Sequence, residues 1–415
     1  MLITLNKQIF LVGKDLMRRL MSSRIPMKRL LLTLPLWLIA FTIFAQTYSY
    51  NTGGTRSKNY FEEIPYESIN GKMIVKVTLN GSSYNFLFDT GAPVSVSTEL
   101  GVPETDVAKN TRIHDVNGKS SAIKTVVVPA IKFGNLEFID IPAVVGIPGF
   151  FNCWDVKGII GSNLLRNSIV QIDDKKHIIT LTDQPERLSL SGQASIPLSL
   201  DTIQSYPRFE VKLANNTVLT ADFDTGDNGL LAISQNVMEQ LKNTNAFEQL
   251  ARGYGASQIG IFGLEKENQR FLLRFPVFTI AGVALTNVTT TTSNGYGARL
   301  GSKLATYGLV TIDFINRKFY FKNEAGPIDL AEKQWPFQPG FHNNKLVVGL
   351  TWENAKGIAE LGEQIVAIDG TSFEKVELCN LLSGSILEGK EKATVTIRSS
   401  KGTLRKVELE KLPVD

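Results

Sequence analysis

Hydrophobic and polar positions alternate in short runs through most of this 415-residue chain, and long helical periods are few. Lys72 to Leu79 alternates as a strand. Asn80-Gly81 then supplies a turn in which both residues tolerate positive φ, and Tyr84 to Phe88 is the return strand. Val94–Ser97, Ile123–Val128, Ile131–Phe133 and Phe138–Val145 are further β-branched or apolar runs. A last pair, Ser168–Asp173 and His177–Leu181, flanks a polar turn at Lys175-Lys176. Short strands with turn signals at this spacing predict a small barrel.

The same order then repeats. Phe209–Leu213 corresponds to Met73–Val77, Asn215-Asn216 to the turn, and Val218–Phe223 to the return strand. Leu230–Ser234 corresponds to Val94–Ser97, and Ser234 is placed to cap a short helix running to Lys242. Gly301-Ser302-Lys303-Leu304 repeats Gly161-Ser162-Asn163-Leu164, and Asp313 lies 12 residues past Gly301 as Asp173 lies 12 past Gly161. An internal duplication of this kind governs the fold prediction. After Lys322 the composition shifts through a Gly-, Pro- and Trp-bearing stretch. Beyond it lie a strand at Lys345–Trp352, a turn at Glu353-Asn354, a helical segment at Glu374–Leu382, and strands at Ala393–Ser399 and Leu404–Glu410. The boundaries that follow are 1–45 for a signal peptide, 46–69 for a loose lead-in, 70–190 and 191–323 for two lobes, 324–335 for a linker, and 336–415 for a final domain.

Charge changes the picture at one end only. The first 45 residues hold seven Lys or Arg against Asp15 alone, so the net +4 of the whole chain conceals a remainder with 37 basic and 39 acidic side chains. That remainder gives no electrostatic reason to expect a nucleic-acid partner. Met27-Lys28-Arg29, followed by the apolar run Leu30–Ala45, has the order of a secretory signal, with Met27 an alternative start. The expectation is export to the periplasm or cell envelope, or secretion, with no stable membrane span once the signal is cleaved. An uncleaved N-terminal anchor is the other option. Two cysteines and three histidines are too few for a dedicated zinc cage, and no metal or organic cofactor is expected. Cys153 and Cys379 fall in different domains, which leaves a disulfide open but unsupported by spacing.

Carboxylates are the remaining candidates for chemistry. Asp89-Thr90-Gly91-Ala92 and Asp224-Thr225-Gly226-Asp227 each close an apolar strand. Two carboxyl groups held together can share one proton, one acting as base and the other as acid, because like charges at close range do not both ionise. Gly91 and Gly226 would allow close backbone approach, and the hydroxyls of Thr90 and Thr225 could lock the two turns together. Two residues break the symmetry: Asp227 stands where Ala92 stands, and Asp222 where Leu87 stands. A third carboxylate beside the pair would raise its proton affinity, unless both extra aspartates face solvent. Asp173 and Asp313 are read as turn-bracing residues, His114-Asp115 as a solvated loop pair, and Trp154 as a packing residue.

The Asp-Thr-Gly-Ala turn, with the later segments Ile159-Ile160-Gly161 and Arg299-Leu300-Gly301, resembles the retropepsin-type aspartic peptidases. The resemblance covers about residues 70–322 in two copies. It implies a mainly β fold of two tandem retropepsin-like β-barrel lobes forming a pseudo-dimer. It also implies an Asp89–Asp224 dyad braced by Thr90 and Thr225, loops at Gly161 and Gly301 packed behind it, and a polypeptide substrate. Flap turns are expected at Asn117-Gly118 and around Phe262-Gly263. Gly357 to Gly362-Glu363-Gln364-Ile365 and Ile368-Asp369-Gly370 resemble a bacterial PDZ domain, which implies binding of peptide or protein C-termini. The function implied is an exported aspartic endopeptidase. The alternatives are a non-catalytic peptide-binding protein built on the same fold, or a first lobe that needs a partner chain.

Overall fold

The computed structural model describes residues 48–103, 111–115, 117–256, 258–353, 357–384 and 386–412. The signal segment and Asn354 of the predicted turn lie outside them. The protein is mainly β, and the pairing order of the first half recurs in the second. Lys72–Leu79 pairs antiparallel with Ser82–Asp89, setting Ile74 against Leu87. Pro207–Leu213 pairs likewise with Val218–Asp224, setting Arg208 against Asp222. The connecting turns behave as their residues dictate: Asn80 and Gly81 have φ of 51° and 78°, and Asn215 and Asn216 have 56° and 55°. Each aspartate strand then takes a parallel neighbour. Val156–Gly161 lies beside the first, with Asp89 opposite Gly161, and Ala298–Gly301 beside the second, with Asp224 opposite Gly301. A long hairpin completes each lobe, Ser120–Phe133 with Leu136–Val145 and Asn268–Ile280 with Val283–Ser293.

The lobes meet in one sheet. Ile169–Asp173 pairs antiparallel with Leu309–Asp313, and each is flanked by its own hairpin partner, Ile178–Thr182 or Lys318–Lys322. Outside these lie Phe61–Ile69 on one side and Ser195–Leu200 on the other. Phe61–Ile69 therefore corrects the loose lead-in expected for residues 46–69. It buries Ile64 and Tyr66 on alternate positions, and it pairs with the far end of its own lobe. Val170, Ile172, Val310 and Ile312 of the central pair are fully buried in a core continuous through both lobes.

The C-terminal residues form strands at Phe337–His342, Lys345–Trp352, Gln364–Ile368, Lys392–Arg398 and Leu404–Glu410 around a separate core that includes Val348, Ile365, Val395 and Ile397. The predicted helix is shorter than expected, Leu378–Leu382, because Glu377 is extended. This unit is not a free module on a linker. Glu248–Gly255 of the second lobe pairs directly with Lys345–Trp352, with Tyr254 opposite Thr351. Glycine permits that approach, since a Cβ on Gly253 would sit 2.5 Å from the Thr351 carbonyl oxygen. On the other side Cys153 and Cys379 form a disulfide, Cα atoms 4.9 Å apart, that ties the short helix to the first lobe.

That bridge closes a loop of 226 residues. On the chain-entropy estimate, the double variant Cys153→Ser/Cys379→Ser should lose up to about 5 kcal/mol of stability, read as a lower midpoint in urea.

Candidate active site

Each aspartate ends its strand and enters a turn held by its own carboxylate. Gly91 N–H donates to Asp89 Oδ1 at 2.8 Å, and Gly226 N–H donates to Asp224 Oδ1 at 3.0 Å. Between the turns the threonines exchange four hydrogen bonds. Thr90 Oγ1 donates to the Phe223 carbonyl at 2.7 Å and accepts from Thr225 N–H at 3.1 Å. Thr225 Oγ1 donates to the Phe88 carbonyl at 3.0 Å and accepts from Thr90 N–H at 3.0 Å. Both threonines are fully buried. The exchange draws the turns so close that a Cβ on Gly91 would lie 2.4 Å from Asp224 Cγ, and one on Gly226 2.4 Å from Asp89 Cγ. A side chain at either position would have to displace the opposing carboxyl group.

Gly161 and Gly301 sit behind the turns. A Cβ on Gly161 would meet the Ala92 carbonyl oxygen at 2.4 Å, and one on Gly301 the Asp227 carbonyl oxygen at 2.5 Å. The residues that follow them fasten the turns, Ser162 N–H to Ala92 O at 3.0 Å and Ser302 N–H to Asp227 O at 2.7 Å.

The close approach of the turns sets the two carboxyl groups side by side, each beside the glycine of the opposite turn. Burial, and then the charge of Asp224 beside it, push the Asp89 carboxyl well above the usual carboxylate range. Burial raises Asp224 as well, but the Arg299 guanidinium works against that shift while Asp227 adds to it. Two further groups reach the pair. Lys72 Nζ donates to the Gly226 carbonyl, and its charge favours ionisation of both aspartates. Tyr206 donates its hydroxyl to Asp224 Oδ2 at 3.4 Å, and burial keeps that phenol protonated. Neither residue was singled out in the sequence. The hairpin register carries the signal: continuing it by two residues from the Ile74–Leu87 and Arg208–Asp222 pairs sets Lys72 against Asp89 and Tyr206 against Asp224.

Asp222 and Asp227 do not point freely into solvent. Arg208 holds Asp222 through Nε at 2.6 Å and Nη2 at 3.3 Å. Arg299 Nη2 holds Asp227 at 3.4 Å, and Gly229 N–H donates to Asp227 Oδ1 at 2.8 Å. Register shows that the arginines are themselves departures. Arg208 stands where Ile74 stands in the first lobe, and Arg299, opposite Asp222, where Ile159 stands opposite Leu87. An apolar cluster of Ile74, Leu87 and Ile159, packed with Phe151 and Trp154, thus has a charged counterpart in the second lobe.

The expected flap turns meet each other. Asn117 Nδ2 donates to the Gly263 carbonyl at 3.3 Å, and Lys119 Nζ to the Phe262 carbonyl at 3.2 Å. Phe262 N–H in turn donates to Asp115 Oδ2 at 3.2 Å. Gly118 turns the chain with φ of 75°. Asp115 is therefore a buried clamp between the two turns, which corrects its reading as part of a solvated pair; its Oδ1 also accepts from Asn117 and Lys119 N–H. Asp173 and Asp313 brace turns as expected, accepting from Lys176 and Asn316 N–H, and Trp154 is buried in packing.

With this geometry in view, residues 75–164 match the family model described as aspartyl protease, a span that includes Asp89 and Gly161 and supports a peptidase function. Among solved structures, the chain is similar to basic 7S globulin from soybean, with 12% identity over 64% of this chain and 98% of that one and a TM-score of 0.36. None of the curated proteins matches the chain. Among the described residues no helix is long and apolar enough to cross a membrane.

Two stability measurements follow from the dyad. Thr90→Val leaves the Phe223 carbonyl and Thr225 N–H without partners in a buried site, and should cost about 2–4 kcal/mol in denaturant unfolding. Asp89→Asn should do the opposite at neutral pH. A carboxyl raised above its ordinary 3.8 binds its proton in the folded chain more tightly than in the unfolded one. Stability is therefore lost as pH rises from 3.8 through the raised value. Thermal unfolding of Asp89→Asn should exceed that of the unsubstituted protein at pH 7, and the advantage should vanish below the ordinary carboxylate range.

Proposed function

We propose that the protein is an exported aspartic endopeptidase in which Asp89 and Asp224 act as one catalytic dyad on a polypeptide bound between the lobes. The observation that supports this most directly is the close approach of the two carboxyl groups in matched turns, where each lies against the glycine of the other turn. A pair so placed carries one proton between its members over a broad pH range and titrates as a unit.

In the reaction, a water between the aspartates gives a proton to the ionised carboxylate as its oxygen attacks the scissile carbonyl carbon. The protonated carboxyl gives its proton to the carbonyl oxygen, and a neutral tetrahedral diol forms. Collapse of the diol returns a hydroxyl proton to one carboxylate while the other carboxyl protonates the amide nitrogen. The C–N bond breaks to give acid and amine, with the dyad again holding one proton. The meeting turns around Asn117-Gly118 and Phe262-Gly263 serve as flaps that cover the bound chain.

The C-terminal unit is read as PDZ-like. Among the described residues, Phe337–His342 pairs with one strand, Lys345–Trp352, and its other edge would take an extended peptide terminus by strand addition.

Asp89→Asn and Asp224→Asn, each assayed against denatured protein and peptide mixtures, should lower hydrolysis by about 10²–10⁴-fold, since half a dyad cannot both take and give a proton. Full activity in Asp224→Asn would sink the single-chain dyad. Tight peptide binding without cleavage at any pH would identify a binding protein instead.

A further inference from the structure

The matched turns would leave the shared proton equally placed on either aspartate if the lobes were identical. They are not. Arg299 is 7% exposed and sits in the parallel strand beside Asp224, at the register position that Ile159 occupies beside Asp89. Its Nε lies 3.7 Å from Asp224 Oδ2 and has no hydrogen-bond partner, while its Nη2 is turned to Asp227. A guanidinium stays charged under all ordinary conditions. Were its only role to neutralise Asp227, the unpartnered Nε would have no reason to face the dyad.

We propose that Arg299 is a positioning residue for the dyad: its guanidinium holds the negative charge of the pair on Asp224 and leaves the shared proton on Asp89, with Asp227 moderating its pull. Asp224 is then the carboxylate that takes the proton from water, and Asp89 is the acid that serves the carbonyl oxygen. The proposal rests on the peptidase reading for its consequence in catalysis, but the charge distribution it describes exists without substrate.

The groups facing Asp224 set the sign of the effect. Asp227 opposes its ionisation, whereas Asp89, as the member that keeps the proton, favours it. Lys72, from the first lobe, and Arg299, from the parallel strand beside Asp224, favour it. Tyr206 is held protonated and donates to it. Asp222, on the same strand, is neutralised by Arg208. Arg299 is the nearer of the two cations to Asp224 and the one with no equivalent beside Asp89. Two residues therefore pull the dyad in opposite directions, and a role confined to packing would move neither limb of a pH profile.

The test is kcat/KM against pH for the full chain on a peptide it cleaves. Arg299→Met removes the cation and should move both limbs to higher pH by about one unit, the size of effect an adjacent charge has on a carboxylate. Arg299→Lys should restore most of that shift. Asp227→Ala, which gives the second lobe the residue of the first, frees Arg299 and should move the limbs to lower pH. Unmoved limbs with lower amplitude in Arg299→Met, or a shift in the same direction for Asp227→Ala, would overturn the proposal. Should Arg299→Met not fold, the direction found for Asp227→Ala decides it. A protein that cleaves no peptide at any pH defeats the peptidase reading and leaves a second measurement in force. The thermal-unfolding deficit of Arg299→Met must widen from pH 4 to pH 7, because loss of the cation raises the folded-state proton affinity of the dyad. A deficit that stays constant with pH overturns the proposal without reference to activity.

Discussion

Four hydrogen bonds between Thr90 and Thr225 and the strands they follow set the distance between the two halves at their closest point. Each hydroxyl both donates across the interface and accepts from across it, so neither turn can withdraw without leaving buried groups unpaired on both sides. The consequences run outward from that contact. Glycine suits positions 91 and 226 because the opposing carboxyl already fills the space of a side chain, which could enter only by displacing it. The aspartates are brought side by side, the arrangement on which the proposed sharing of one proton rests. The six-stranded sheet beneath and the Gly161 and Gly301 loops behind keep the two turns facing each other.

The two lobes match in pairing order, and the second differs from the first at four positions as a set. Leu87, Ile74, Ile159 and Ala92 have the counterparts Asp222, Arg208, Arg299 and Asp227, two anions and two cations in two pairs. In the Arg299–Asp227 pair, whose arginine is buried, a single change would leave a charge unpaired in a poorly hydrated place, which costs several kcal/mol. The Arg208–Asp222 pair lies nearer solvent. The paired changes avoid that penalty and leave the second lobe with charges where the first has its apolar cluster. The extra carboxylates are thus not a third and fourth member of the dyad. Each is answered by its own arginine, and one of those arginines also reaches Asp224.

What could be read in the sequence was what local chemistry determines. Asn80-Gly81 needs no context to turn a hairpin, and the recurrence of Asp-Thr-Gly and of Gly-Ser-Xaa-Leu at matched places exposes the duplication. The misses share a cause. Phe61–Ile69 is interrupted by Pro65 and rich in Glu; its end pairs locally with Lys72–Val75, but Phe61–Pro65 becomes strand only through partners more than a hundred residues away. Tyr206 and Lys72 reach the dyad across a hairpin, so their role depends on register and not on any motif. Asp115 looked like a loop residue because the turn that donates to it, at Phe262, belongs to the other lobe. The disulfide could not be inferred because the proximity of Cys153 to Cys379 depends on how the C-terminal unit docks.

That docking also changes how the C-terminal unit should be regarded. Its strand Lys345–Trp352 continues the second lobe's sheet at the Glu248–Gly255 strand, which leads to the flap turn of that lobe. Its helix is bonded through Cys379 to the first lobe, and Leu382 packs against the cluster containing Leu87 and Ile159, the apolar wall beside the Asp89 strand. Asn70 Nδ2 of the first lobe donates to the Leu382 carbonyl at 3.3 Å in the same contact. One body is therefore fastened to both halves, by backbone pairing on one side and by a covalent bond on the other. Separation of the lobes must break strand pairing or pull the helix from its apolar seat, and each is opposed by buried surface as well as by bonds. The constraint set by two threonines at the dyad is reinforced far from it, by a unit whose sequence suggested only an appended binding domain.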